Sequence, residues 1–268
     1  MHLRFKMAWL PGGCALIVAA SLLCGCRSGV LRPGTSHPAP PVTEQPAQAP
    51  GALVPGHAGR PYSIIADESL LSILAFRGGA LSKAGHNHVI AAHDLSGTVY
   101  VPENMLQTSF ELRFAVAQLK VDEPELRARE GADFPPDMPE SAREGTRHNM
   151  LGPALLDAER FPEITLLSEQ LERAPGNSDS GDGSDGAAHA QARVRITVRG
   201  QSHSVSVPVR FQLQRDQLIA DGELPLRQSE LGLTPFSAML GALQVQDEMR
   251  VKFHVVAKRA PVRGRDAN

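Results

Sequence analysis

The stretch Arg193 to Gln214, RVRITVRGQSHSVSVPVRFQLQ, is the clearest β-hairpin in this sequence. Apolar and polar residues alternate on both sides of Gly200, with the period of two that is typical of a half-buried strand. The apolar row comprises Val194, Ile196, Val198, Val205, Val207, Val209, Phe211 and Leu213. Residues 200–203, Gly-Gln-Ser-His, are predicted to form the turn. Each strand of the hairpin therefore has one face that must be buried.

Other runs of alternating or continuous apolar residues predict strands over most of the chain. They cover residues 62–66, 70–77, 95–101, 109–119, 163–172, 218–226 and 249–257. Strands with one apolar face, without the alternation of strands and long helices, favour antiparallel pairing around a common interior. Because closing a sheet on itself removes its edges, we expect an all-β fold with short helices, a lipocalin-like antiparallel β-barrel of about eight strands.

Two short helices are predicted between the strands. Asp122 with Glu125, and Asp137 with Glu140, have the spacing of capping boxes, which mark helix N-termini. Glycines at positions 131 and 152 are expected to end the two helices. We expect these helices to cover one side of the barrel.

The first residues have the layout of an export signal. Arg4 and Lys6 precede the apolar run CALIVAASLL, residues 14–23, which is too short for a permanent membrane span. The next residues, Leu-Cys-Gly-Cys, resemble a bacterial lipobox that ends at Cys26. Residues 1–25 are therefore predicted to be a signal peptide, and Cys26 the site of lipid attachment and membrane anchoring. Cleavage at a nearby site without lipidation is the alternative.

Three segments are too biased in composition to contribute to a core. Residues 26–61 are rich in proline, alanine and glycine, and are predicted to form a semi-rigid tether of ~3 Å per residue. Residues 174–190 are predicted to be a flexible loop insertion, because their aspartates lack the order and the closing Glu of a calcium loop. Residues 260–268 are expected to be a disordered tail. The barrel domain is then residues 62–259.

Charge and cysteine content narrow the classes of partner and chemistry. The formal net charge is −2 and there is no run of Lys or Arg, so nothing indicates a nucleic-acid partner. After cleavage, Cys26 would be the only cysteine left, which excludes a disulfide and a spare thiol nucleophile. Ser168 and Ser237 lack the context of a nucleophile elbow. We therefore expect a protein that is not an enzyme and needs no cofactor.

The interior of the barrel is expected to be apolar. Aromatic residues make up only 4% of the chain, so the interior would be aliphatic with some Phe, which favours a long hydrocarbon guest over a polar one. The residues predicted to line it are Ile73, Phe110, Leu112, Phe114, Val194, Ile196, Val207, Phe211, Val251 and Phe253.

Several separated motifs resemble one family. Residues 147–168, RHNMLGPALLDAERFPEITLLS, resemble the R-x-x-x-L and F-P-x-I-x-x-x-S signature of the YceI-like family of lipid- and polyisoprenoid-binding proteins. Residues 196–200, ITVRG, resemble its L-T-I-R-G strand and turn, and residues 230–243, ELGLTPFSAMLGAL, its closing segment. The resemblance covers about residues 62–258. It implies a lipocalin-like barrel that encloses an isoprenoid, quinone-like or other long-chain lipid.

The lipobox and this resemblance together imply a cell-envelope lipoprotein. It would bind or carry its lipid on the periplasmic side of a membrane. Arg27 stands where inner-membrane retention usually requires Asp, so the resemblance to lipoprotein sorting signals favours the outer membrane. The identity of the lipid and the oligomeric state stay open.

Residues 83–90, KAGHNHVI, match only a branch of the family, so the lipid-binding description leaves their histidines unexplained. His86 and His88 are two residues apart, and His93 or His148 could complete a metal site with them. A metal-dependent enzyme or factor using His86, His88 and His148 is therefore one alternative function. A packed barrel that serves as an envelope scaffold is another. A structural role for this His-x-His in a loop is favoured, and no metal is expected.

Arg147 has two interpretations. It could form an ion pair with Glu163 at the barrel rim, or it could face the headgroup of a ligand. The residues considered as headgroup or rim candidates are His86, His88, Arg147 and His148.

Overall fold

The computed structural model describes residues 58–174 and 187–259. The predicted signal peptide, Cys26, nearly all of the tether, residues 175–186 of the loop insertion and the C-terminal tail lie outside these residues. Within the described ranges, no helix has the length and hydrophobicity that a membrane crossing requires.

The chain forms twelve strands and two α-helices in the described residues. The strands are β1 (Arg60–Ile64), β2 (Leu70–Gly78), β3 (His88–Ala92), β4 (Ser96–Val101), β5 (Ser109–Ala115), β6 (Lys120–Val121), β7 (Glu163–Arg173), β8 (Ala188–Val198), β9 (Gln201–Gln214), β10 (Gln217–Arg227), β11 (Ser237–Ala238) and β12 (Leu243–Arg259). The helices are α1 (Pro124–Arg129) and α2 (Glu140–Leu151). Short 3-10 turns join several strands.

The strands close into an antiparallel barrel of eight strands, which confirms the predicted fold class. The ring runs in the order β1, β4, β5, β7, β8, β9, β10 and β12, and β12 closes it by pairing with β1. The long strand β12 also pairs with β2, which leads to β3 and then β6. Every pairing is antiparallel. Because successive side chains of a strand point to opposite faces, each strand of the ring presents alternate side chains to the interior.

The hairpin of β8 and β9 turns earlier than the sequence predicts. Val198 pairs with Gln201, so Arg199 and Gly200 alone form the turn, with φ of 50° and 70°. Positive φ at both central residues is typical of the type I′ turn, whose twist matches that of the flanking strands. Gln201 and His203 therefore belong to β9 rather than to the turn, and their side chains follow the inward row of Val205.

Two strand predictions were also wrong in detail. The strand predicted over residues 109–119 ends at Ala115, because a 3-10 turn begins at Val116, whose N–H donates to the carbonyl of Pro162. The His-x-His segment is not only a loop: His88 is the first residue of β3, which the sequence pattern did not predict. In addition, β1 begins at Arg60, inside the predicted tether, and β8 begins at Ala188, inside the predicted loop insertion.

Both helices form, but neither has the predicted capping box. The N-cap of α1 is Glu123 and that of α2 is Pro139, and neither side chain caps its helix. Asp122 instead has a φ of 56° and turns its carboxylate into the protein interior. The predicted stop at Gly152 is confirmed, since Gly152 is the C-cap of α2.

Strands β2 and β3 are buried on both faces. Leu71 and Ile73 face the barrel interior, whereas Leu74 packs outside the barrel against Val89 and Phe134. This outer cluster holds the segment that contains α1 against the wall of the barrel. It thereby places α1 directly behind β3.

Candidate ligand cavity

Side chains do not fill the barrel. A cavity of about 460 Å³ lies at the end that α2 covers, a volume within the ~300–1,000 Å³ that small-molecule sites usually have. Exposed residues such as His86, Asn149 and Gln244 border it, so the cavity opens to solvent. Its deeper wall is formed by apolar side chains, among them Ile73, Phe114, Leu156, Ile164, Val198, Leu231, Leu233 and Met249.

A second cavity of about 140 Å³ continues towards the other end of the barrel. Among the described residues, Thr108 is the one polar residue on its border. The two cavities share the side chains of Leu71, Leu166, Ile196, Leu226 and Val251. We call these shared residues the waist. They lie between the two adjacent cavities, which together make up the apolar space of the barrel interior.

All ten side chains predicted to line the barrel border this space. Ile73 and Phe114 border the larger cavity, and Ile196 and Val251 stand at the waist. The other six, which border the smaller cavity, are Phe110, Leu112, Val194, Val207, Phe211 and Phe253. Their position on the cavity border is a fact of the fold; their contact with a ligand stays a prediction.

The face of α2 that borders the larger cavity could not be predicted from hydrophobicity. It includes Ala142, Gly145, Thr146 and Asn149, followed by the buried Met150. The spacing of the first four, i, i+3, i+4 and i+7, is that of one helix face. Because the side chains on this face are small or polar, a search for apolar periodicity does not find it. Small side chains here keep the cavity open beneath the helix.

His88 is a polar residue of the cavity wall, and a buried carboxylate holds its ring from the side away from the cavity. Its Nδ1 lies 2.6 Å from Oδ2 of Asp122, and its Nε2 lies 3.4 Å from the hydroxyl of Thr146 on α2. Asp122 is fully buried, and the backbone N–H of Val89 also donates to it. An ionised Asp122 accepts the Nδ1 proton, which leaves Nε2 directed at Thr146 and the cavity.

Arg127 completes the network behind His88. This fully buried residue donates from Nη1 to Oδ1 of Asp122 at 2.5 Å and to the carbonyl of Asn87 at 2.7 Å. Its Nε donates to the carbonyl of Pro135 at 2.7 Å, and the guanidinium lies 5.8 Å from the centre of the Phe134 ring. A buried charge needs this degree of pairing, because an unpaired one carries a large desolvation cost.

Asp122 makes stability depend on pH. Burial raises its pKa, but hydrogen bonds from His88, the backbone of Val89 and Arg127, with the charge of His88, together hold the pKa below its ordinary value of 3.8. Since the folded pKa is below the unfolded one, Asp122 stabilises the fold above the unfolded pKa. This contribution is lost as the pH falls through the folded pKa.

We therefore expect Asp122→Asn to lower the free energy of unfolding near neutral pH and to weaken its acid dependence. Urea unfolding of both proteins at a series of pH values from about 7 down to about 3 measures this. The two curves should converge as the pH falls. Parallel curves over the whole range would show that Asp122 is not the group responsible.

Arg147 does not act as either interpretation predicted. Its guanidinium donates to the backbone carbonyls of Leu119 and Ala117, which ties α2 to the segment after β5. Glu163 lies instead 3.8 Å from Arg113 on the barrel exterior. Arg147 thus holds α2 in place over the cavity, because its N–H groups donate to backbone oxygens and do not point at the cavity.

Of the other headgroup candidates, His86 borders the larger cavity and His148 does not. His148 is exposed on α2. Within residues 58–174 and 187–259, no group of three or more His, Cys, Asp or Glu side chains is placed to hold a metal ion. The three histidines of the metal hypothesis therefore do not meet at one site.

Comparison with solved structures finds similar folds at low sequence identity. BcnA from Burkholderia cenocepacia is 19% identical over 73% of this chain and 99% of its own, with a TM-score of 0.51. A polyisoprenoid-binding domain from Saccharophagus degradans is 10% identical over 74% of this chain and 98% of its own, with a TM-score of 0.48. The YceI protein of Campylobacter jejuni is 8% identical over 64% and 85%, with a TM-score of 0.44. No curated protein matches.

The family of this chain is shown by the match of its sequence to a protein-family model. The model of the YceI-like domain matches residues 68–257, a range that runs from the turn before β2 into β12, two residues before its end, and includes all of the cavity wall except Ile64. With the closed barrel and the family motifs of β7 and β8, this match shows that the chain belongs to the YceI-like family.

Proposed function

We propose that this protein binds one long-chain lipid, of the isoprenoid or quinone-like class, inside its barrel. The observation that carries this proposal is the apolar space of two adjacent cavities, of about 460 and 140 Å³, that share the side chains of the waist. A linear hydrocarbon matches its shape, and each methylene moved from water into it is worth about 0.8 kcal/mol. Membership of the YceI-like family agrees with this class of ligand.

The distribution of polar groups gives the bound lipid a direction. The border of the smaller cavity is apolar except for Thr108, whereas His88, Thr146 and Asn149 border the larger one. In the part of the chain that the structure describes, Arg77 is the one Lys, Arg, Asp or Glu on either border. We infer that the tail reaches past the waist and that the headgroup stays near His88 and Thr146. A headgroup with oxygen acceptors fits, since no carboxylate of the described residues faces it.

The protein acts as a binding protein rather than as an enzyme in this proposal. It is attached to the periplasmic face of a membrane through a lipidated Cys26 and the tether that follows, with the outer membrane favoured. Within the described residues, the polar groups of the cavity are two histidines, an arginine, hydroxyls and amides without an assembled nucleophile or metal cluster. Such a wall orients a ligand more readily than it transforms one.

Native mass spectrometry of the full chain, extracted in mild detergent from the producing bacterium, tests the binding proposal. We expect one lipid per protein, identified as a long-chain species after its release. A protein that carries no lipid, and that also fails to take up an added isoprenoid quinone, would contradict the proposal.

Membrane attachment is tested separately with Cys26→Ser. The intact mass of the wild type should exceed that of the processed polypeptide by a diacylglyceryl group and an acyl chain. The variant should lack this mass and move from the membrane to the soluble fraction, because it has lost the acyl chains that anchor the protein. An unlipidated wild-type protein would show that the lipobox is not used, without bearing on the cavity.

A further inference from the structure

Two neighbouring segments at the open end of the larger cavity expose large apolar side chains. One is the β2–β3 loop, residues 79–87, and the other is the segment 232–242 before β12. Leu81 of the first is 48% exposed, and Phe236, Met239 and Leu240 of the second are 37%, 70% and 109% exposed. We call these four side chains the apolar tip. Exposed apolar groups of this size, gathered in one place, usually mark an interaction surface.

The two segments form one unit. The N–H of Leu81 donates to the carbonyl of Ala242 at 2.7 Å. Gly79, with a φ of 85°, lies so close that a Cβ there would be 2.5 Å from the same oxygen. This packing excludes larger residues at Gly79. The apolar tip is therefore built on a defined backbone contact.

The backbone of the tip directs its side chains into solvent. Met239, Leu240 and Gly241 have φ values of 51°, 55° and 87°. The left-handed region is unfavourable for Met and Leu, because their Cβ approaches the backbone oxygen. The turn is closed by the N–H of Ala242, which donates to the carbonyl of Met239 at 3.1 Å. The fold thus places two apolar side chains in water on a backbone that such residues rarely adopt.

The tip lies next to the mouth of the cavity. Phe236 belongs to the tip and also borders the larger cavity, as do Gly85 of the β2–β3 loop and Leu243 just after the second segment. A surface that receives the tip would therefore also meet the opening through which a lipid must pass.

The charged residues near the apolar tip indicate what kind of surface it would bind. Residues 79–87 and 232–242 contain no Asp or Glu, although the whole chain has a net charge of −2. Their one lysine is the exposed Lys83, and Arg77, at the base of the loop, donates to the carbonyl of Gly85 at 3.1 Å. Apolar side chains flanked by cations without carboxylates are the composition of segments that bind anionic bilayers.

We propose that the apolar tip inserts into the interfacial region of an anionic lipid bilayer and places the cavity mouth against the membrane. Docking of the tip does not depend on which lipid the barrel carries. A second copy of this chain fits less well as the occupant. A stable protein interface buries about 800 Å² on each partner, more than four side chains supply.

Tryptophan placed at the tip tests the proposal. The full chain with Trp9→Phe and Cys26→Ser has neither its native tryptophan nor an acyl anchor, and Leu240→Trp then introduces a single reporter. With vesicles of phosphatidylcholine and phosphatidylglycerol, we expect a blue shift of its emission and quenching by brominated acyl chains. The matched control is Leu213→Trp, because Leu213 is an exposed apolar residue beside the smaller cavity, at the other end of the barrel.

Equal quenching at both positions, or none at position 240, would overturn the proposal. An emission shift that depends on protein concentration in the absence of vesicles would also overturn it and would assign the tip to self-association. In the same background without added tryptophan, Leu240→Ser should weaken partitioning into anionic vesicles by about tenfold. The loss should be smaller with phosphatidylcholine alone. Because Leu240 is fully exposed, this variant should keep its barrel and any bound lipid.

Discussion

Replacing Ile196 with tryptophan should remove the bound lipid while the barrel stays folded. Ile196 borders both cavities, so the larger indole occupies the waist and closes the passage between them. A chain that enters the wide end then cannot extend to the narrow end. Each methylene excluded is worth about 0.8 kcal/mol, so the exclusion of two already lowers the affinity by about tenfold.

The readout is the fraction of lipid-bound protein in native mass spectra, together with the circular dichroism of each variant. Arg195→Trp is the matched control, because Arg195 is the adjacent residue on β8 and points to solvent, with its side chain 50% exposed. Ala142→Trp reduces the same space from the side of α2. If all three variants keep a full complement of lipid, the barrel interior is not the binding site.

Replacing Arg127 with methionine should be among the most destabilising single changes in the protein. The substitution removes the cation from Asp122 but leaves this carboxylate in a fully buried position, where only His88 and the N–H of Val89 remain as partners. Breaking a buried ion pair from one side costs about 3–5 kcal/mol. We expect urea unfolding to show a loss of this size.

Arg129→Met is the control for the change of residue type. It alters the same helix at an exposed position, where substitutions usually cost less than about 0.5 kcal/mol. Adding Asp122→Asn to Arg127→Met should recover part of the loss, because the uncompensated charge is then gone. Equal stability of Arg127→Met and Arg129→Met would contradict the view that the buried ion pair of Arg127 with Asp122 stabilises the fold.

The inward position of Ile196 could be predicted from the sequence, whereas the contacts of Asp122 and Arg127 could not. Ile196 belongs to an alternating row, and alternation specifies which face of a strand is buried whatever its partner is. Asp122 was predicted to cap a helix, since Asp122 with Glu125 has the spacing of a capping box, and Arg127 was given no role. The structure shows Asp122 bonded to His88, which is 34 residues earlier in the chain. Local spacing carries no information about such a contact.

The same distinction applies to the wall of the cavity. The ten predicted lining residues all border it. Nine of them lie on strands in which apolar and polar residues alternate, whereas Ile73 lies on β2, which is buried on both faces. The small and polar face of α2, the loop residue Phe236 and Leu243 at the start of β12 were not predicted to border the cavity. Their place depends on where the helix and the loops fold back against the open end of the barrel.

The sequence by itself determined the class of fold, the inward row of each main strand and the family, because these follow from periodicity and from short motifs within single elements. Only the tertiary structure decided that the interior is hollow, that Arg147 clamps backbone carbonyls, and that the segments carrying Leu81 and Leu240 meet at the cavity mouth. The physical reason is that the packing of the interior, the hydrogen bond between His88 and Asp122 and the contacts between loops join residues far apart in the chain, whose proximity is set by closure of the whole barrel.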